Sequence, residues 1–212
     1  MQKIFLIIPM CILLFASGCT GEKDQMQKEL GSILADIQTY EKKVSESENQ
    51  LASLEKKEQI LFGKTVDFGI EERELVESGV SKLETYLEER RQLIVVEQDA
   101  VAEAKGSVER LTDLQEGTGD EGAKSVAKLK TALVKRYELH TEVIELYEEL
   151  LNRQSALYEL LIEENVKRVE LEEAAGAVNK QRTKLEDAIR VFNQSTLEVN
   201  SALKETQQTE TE

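Results

Sequence analysis

Apolar residues recur along this chain at alternating three- and four-residue steps in four separate runs. That rhythm is the heptad pattern of packed helices and leaves little room for any other fold. The first run passes from Leu30 through Ile33, Ile37, Val44 and Leu51 to Leu61. The second passes from Val76 through Leu83, Leu87, Ile94 and Val101 to Leu111. The third passes from Val126 through Leu129, Leu133, Val143 and Leu150 to Leu161. The fourth passes from Leu171 through Val178, Leu185, Ile189 and Phe192 to Leu203. No segment holds a period of two, so no sheet is expected.

The runs break where turn chemistry predicts. In "DFGIEE" (67–72) Gly69 suits a helix C-terminus, and Glu71 and Glu72 suit the next first turn. "EGTGDEG" (116–122) carries three glycines, with Asp120 as a candidate N-cap. "EENVK" (163–167) allows two readings: a left-handed or capping Asn165, or one kinked continuous helix. Each helix then has roughly 40 to 45 residues, or about 60 to 65 Å at 1.5 Å per residue. Short connections force neighbours antiparallel. The expected fold class is all-α: an elongated up-and-down four-helix bundle with coiled-coil-like packing over 24–205. Residues 206–212, polar throughout, are expected to be a disordered tail.

The first 18 residues differ from the rest. Lys3 is their only charge, and Ile4 to Ala16 form an apolar run holding Pro9, the only proline. A basic start, a run of roughly 13 apolar residues and small residues at its end make a secretory signal peptide. The run falls short of the about 20 residues that span a bilayer. Loss of residues 1–18 would remove Lys3 and Cys11. That leaves 42 acidic residues against 26 basic ones, 27 less Lys3, and Cys19 as the only cysteine. One chain then holds neither a disulfide nor a cysteine-based metal site. So acidic a chain is not expected to bind nucleic acid.

Several stripe positions are polar: Glu58, Arg90, Glu97, Arg136, Gln154 and Arg182, with His140 beside them. Arg90, Glu97, Arg136, His140 and Arg182 fall near mid-bundle when counted from the predicted turns. One reading is a polar binding layer inside the bundle. The other is registry, in which a few polar residues on a seam fix helix alignment at some cost in stability. Glu97 and Arg136 fall at nearly the same height and are expected to pair. His140 is the only histidine. The di-iron bundle motif needs Glu three residues before it, and that position is Tyr137. No metal and no cofactor is therefore expected. No nucleophile elbow, phosphate loop or dinucleotide fingerprint is present, and no enzyme activity is expected.

Two resemblances add to this. Ala16, Ser17, Gly18 and Cys19 resemble the lipobox of bacterial lipoproteins, in which the cysteine sulfur receives a diacylglycerol and becomes the mature N-terminus. That implies a lipidated tether at 19–23. The alternative is ordinary secretory cleavage that leaves an incidental cysteine. The stretches "LEKKEQILFGKTVDFGIEE" (54–72), "LEERRQLIVVEQDAVAEAK" (87–105), "KRYELHTEVIELYEELLNRQSALYELL" (135–161) and "VFNQSTLEVNSALKE" (191–205) resemble the YkyA-type cell-wall-binding lipoproteins of Firmicutes. The resemblance implies a non-catalytic protein on the outer face of a Gram-positive membrane. It implies lipid on Cys19, and a cell-wall polymer or envelope protein as partner. The alternative is an envelope lipoprotein that binds a ligand or metal through the mid-bundle polar residues. Net charge constrains the wall-binding version. Anionic wall polymers would repel the chain unless basic clusters such as Arg90 with Arg91 or Lys135 with Arg136, or bridging divalent cations, intervened.

Overall fold

The computed structural model describes residues 22–68, 72–116 and 120–209. Five helices follow in order: α1 (Glu22–Val66), α2 (Arg73–Glu109), the short α3 (Leu111–Glu116), α4 (Asp120–Ile162) and α5 (Arg168–Thr209). No strand occurs among the described residues. The 45 residues of α1 make a rod of about 67 Å. α1 packs along α2, α4 along α5, and α2 against α4. The four long helices thus form an up-and-down bundle, as their periodicity predicts.

One apolar core runs the length of the rod. Ile33 and Ile37 of α1, Leu83 of α2, Leu129, Leu133 and Leu151 of α4 and Phe192 of α5 are wholly buried. Each such side chain contributes roughly 1.5–3 kcal/mol of transfer free energy.

Two details depart from the periodic expectation, and a third decides between two readings left open by the sequence. The second apolar run breaks at Arg110, whose N–H donates to Ser107 O at 3.3 Å in a tightened last turn. Its side chain reaches Asp36 at 2.6 Å, and Leu111 and Leu114 of α3 carry the core onward. At the opposite end Asn165 is left-handed, with φ 66, so α4 and α5 are separate helices. Lys167 N–H there donates to Glu170 Oε2 at 2.9 Å, satisfying a donor that the first turn of α5 leaves over.

The second departure is at the C-terminus. α5 continues to Thr209, where a disordered tail from 206 was expected. Thr206 is wholly buried and its hydroxyl lies 3.2 Å from Ser125 O and 3.0 Å from Ala202 O. A docked hydroxyl explains why so polar a stretch stays helical. Residues 210–212, Gly69, the expected signal peptide at 1–18 and Cys19 lie outside the described residues.

Candidate functional site

Helix direction decides how the stripe polar residues meet. A side chain leans toward the N-terminus of its own helix. α1 and α4 run one way and α2 runs the other, so polar residues on α2 lean toward partners on α1 and α4 that lie nearer the α1–α2 turn. Three buried polar layers result.

The first layer lies nearest the α1–α2 turn and centres on Arg90. Its guanidinium is 1% exposed, a burial that opposes its charge. Tyr147, Glu58 and Glu55 nevertheless hold its pKa above the usual arginine value. Nε donates to Tyr147 Oη at 3.0 Å, Nη1 to Glu58 and to Gln154 Oε1 at 3.1 Å, and Nη2 to Glu55 Oε1 at 3.3 Å. Glu58 also accepts from Gln154 Nε2 at 2.7 Å and from the Tyr158 hydroxyl. Burial, then the neighbouring carboxylates, pushes the phenols of Tyr147 and Tyr158 up.

The second layer centres on Arg136, also 1% exposed. Its two Nη atoms donate to both oxygens of Glu41 at 2.6 and 2.8 Å, and Nε donates to Thr196 Oγ1 at 3.0 Å. The Tyr137 hydroxyl adds a bond to Glu41 at 2.7 Å, and the Phe192 ring covers the guanidinium at 4.6 Å. The expected Glu97–Arg136 pair does not form. Arg136 leans toward the start of α4 and Glu97 toward the start of α2, so residues at equal height point apart.

The third layer is where Glu97 goes. Its Oε1 lies 2.7 Å from His140 Nε2, and both residues are almost wholly buried. Glu48 of α1 joins them: one oxygen from each carboxylate and one ring nitrogen of His140 all lie within 4.8 Å of one another. Burial, then the Glu97 and Glu41 carboxylates, push the Glu48 carboxyl up to about 8, against a smaller opposing pull from Arg136. Glu48 Oε1 and His140 Nδ1 are hidden from solvent and have no hydrogen-bond partner. Phe192 packs on the imidazole, with ring centroids 4.7 Å apart.

Arg182 joins none of these layers. α5 turns Gln181 inward, where its Nε2 donates to Leu146 O at 3.0 Å, and leaves Arg182 exposed. It stands instead on a groove of about 770 Å³ between α1 and α5, whose backbones stay further apart than those of the other neighbouring pairs. Phe62 lines one wall, Val178, Asn179 and Arg182 the other, and Gln154 and Tyr158 the floor. The Phe62 and Tyr158 rings lie 5.6 Å apart. Two aromatic residues just off the stripes, Phe62 and Tyr158, line the groove opposite Ala175 and Val178 of α5.

Of the sequence candidates, Arg90, Glu97, Arg136 and His140 are buried as expected, but in three layers and not one. Glu41, Glu48, Glu55 and Tyr158 are not among the residues the sequence singled out. Each carboxylate sits beside a stripe position, and the only signal is that a facing helix, α2 for Glu55 and α4 for Glu41 and Glu48, carries a buried arginine or histidine within reach.

These features define a class: a long four-helix bundle held in register by buried polar layers, with an open seam near one end. The sequence profile of the YkyA family, described as "Putative cell-wall binding lipoprotein", matches residues 25–209, and the chain belongs to that family. A crystal structure of a conserved protein of unknown function from Staphylococcus aureus is similar in fold, with a TM-score of 0.72 at 18% identity. The similarity covers 91% of this chain and 97% of that one. No curated protein matches the chain. No described helix is long and apolar enough to cross a membrane.

Proposed function

We propose that this is a non-catalytic surface protein, held on the outer face of the cell membrane by lipid on Cys19, that contacts the cell wall through the groove between α1 and α5. The observation that carries this is position. α1 begins at Glu22, three residues after Cys19, and the groove lies in the opposite half of the rod, beside Phe62. A lipid anchor would leave that half furthest from the membrane and nearest the wall.

Charge selects the wall component. Arg90 and Arg136 are buried against carboxylates, Lys135 is paired with Glu198 at 2.8 Å, and Arg91 donates to Asn152 Oδ1 at 2.9 Å, so neither sequence cluster presents two adjacent unpaired cations to an anionic polymer. Arg90, Glu55 and Glu58 also line the groove but are engaged with one another, which leaves the Arg182 guanidinium, the Asn179 amide, the Glu186 carboxylate and an aromatic edge to meet a ligand. That mixture suits a glycan–peptide segment of the wall mesh, with neutral sugars and both charge signs, better than a polyphosphate chain.

The test is retention on purified sacculi stripped of anionic polymers. The protein is expected to bind, and Arg182→Glu to weaken binding about fivefold or more, a loss of roughly 1 kcal/mol. Its melting temperature should hold, because Arg182 is exposed. Retention no better than that of an unrelated acidic helical protein would end this reading. The anchor is tested separately: Cys19→Ala should release the protein into the medium or leave an unprocessed precursor.

A further inference from the structure

We infer that Glu48, Glu97 and His140 form a binding site for a first-row divalent transition metal ion, Zn²⁺ being the type case, enclosed between α1, α2 and α4. Neither the family description nor wall contact assigns such a site, and it stands independently of the groove. It also departs from the sequence expectation of no metal, which rested on the missing Glu before His140 within α4. The missing carboxylates come from other helices.

Geometry is the first ground. Ligand atoms held about 2.0–2.2 Å from one ion lie roughly 3 to 4 Å from each other. The three donor atoms already fall within 4.8 Å, so closure onto an ion needs side-chain adjustment and no helix movement. Donors from three helices also converge without competing for one face.

Charge is the second ground. The Arg90 layer sets a guanidinium against Glu58 and Glu55, and the Arg136 layer sets one against Glu41. The third layer sets two carboxylates against an imidazole, and no lysine or arginine among the described residues pairs with either. Arg136 is near enough to act on Glu48, but both its Nη atoms are taken by Glu41. Buried like charges call for a cation or a proton. Glu48 Oε1, hidden and without a partner, is an acceptor with nothing to accept from.

Donor chemistry selects the ion. Calcium and magnesium take oxygen ligands, whereas imidazole with carboxylate suits zinc and its neighbours in the row. Three protein ligands leave a fourth position for water, which the partly exposed edge of Glu48 would admit.

The experiment uses the purified full chain, stripped with chelator and dialysed against Zn²⁺, or Ca²⁺ in parallel. Elemental analysis should find about one zinc per chain, and zinc at a hundredfold excess over its dissociation constant should raise the melting temperature by about 5–10 °C. Calcium should do neither. Co²⁺ in place of zinc should give visible absorption bands that vanish in His140→Gln. Glu48→Gln, at the rim of the site, should fold normally and weaken zinc binding at least about tenfold. The proposal is overturned if zinc is retained well below one per chain. It is equally overturned if binding survives both Glu48→Gln and His140→Gln, which would assign it to surface carboxylates. Proton occupancy alone would show as a melting temperature that responds to pH and not to zinc, and that too overturns it.

Discussion

The Arg90 layer and the Glu48–Glu97–His140 layer are built by the same rule and end in opposite states. Both bring residues of α1, α2 and α4 together because side chains on antiparallel helices lean toward each other. In the first, one guanidinium engages two carboxylates, an amide and a phenol, and Tyr158 completes Glu58. In the second, two carboxylates face one imidazole, and polar atoms are left over. A satisfied layer fixes register. An unsatisfied one costs stability until something binds there.

If that contrast is right, the largest loss comes from opening the closed layer. Arg90→Met strips Glu58 of its counter-charge while leaving it buried, and should cost about 3–5 kcal/mol. Urea unfolding measures it. A loss under about 1 kcal/mol, the range of exposed ion pairs, would mean the layer is wetter than its burial implies.

The open layer should respond to pH more than to deletion. Glu48 titrates near 4.5 when unfolded and near 8 when folded. Its folded form therefore holds the proton more tightly, and its favourable contribution is complete below the unfolded value. That contribution declines as pH rises through the window from about 4.5 to 8, by on the order of 2–4 kcal/mol in chelator. Glu84, also raised by burial, acts in the same direction, so the difference from Glu48→Gln is what isolates Glu48. The variant should gain on the parent protein steadily from pH 5 to 8. A constant difference across that range would show that Glu48 carries its charge as freely in the folded chain as in the unfolded one.

Arg136→Met should cost less than Arg90→Met, about 2–3 kcal/mol, because Glu41 is partly exposed and keeps its bond from Tyr137. The same variant sharpens the contrast. Removing the cation that pulls Glu48 down should move the upper end of its pH window higher.

How much of this was legible follows from what a stripe encodes. Periodicity marks which residues face inward, so the four long helices, their antiparallel order and the burial of Arg90, Glu97, Arg136 and His140 could be read directly. Asn165 allowed a turn, because few residues tolerate a left-handed backbone, but the sequence left a kinked continuous helix equally open there. Pairing could not be read from height alone. Arg136 and Glu97 are level, yet their helices send them opposite ways, and only the lean of each side chain assigns Arg136 to Glu41. Arg182 was misplaced because two adjacent residues of α5, Gln181 and Arg182, both fit a three-or-four spacing between Val178 and Leu185. Glu48 had no marking of its own, since a glutamate beside Ser47 on an acidic helix looks like any solvated carboxylate.

The smallest effect comes from a contact near the Arg90 layer that contains no charge. A Cβ at Gly79 would lie 2.3 Å from Thr65 Oγ1 and 2.8 Å from its Cγ2, so glycine is what lets α2 approach α1 there. The hydroxyl is also committed, donating to Leu61 O at 2.9 Å. Gly79→Ala gains about 1 kcal/mol of helix propensity and loses roughly 1–3 kcal/mol to overpacking, for a net loss of about 1 kcal/mol. Thr65→Ala in the same chain removes the two closest clashes and should recover most of it. The contact lies eleven residues from Arg90 along α2 and eighteen from Glu97, one turn of helix after another away. The two layers should therefore separate. Gly79→Ala should lower the denaturant midpoint while the pH response that Glu48 confers stays as it was. A shift in that response would mean the layers are coupled through the spacing of α1 and α2, and that the open layer is adjusted by how tightly the closed end is packed.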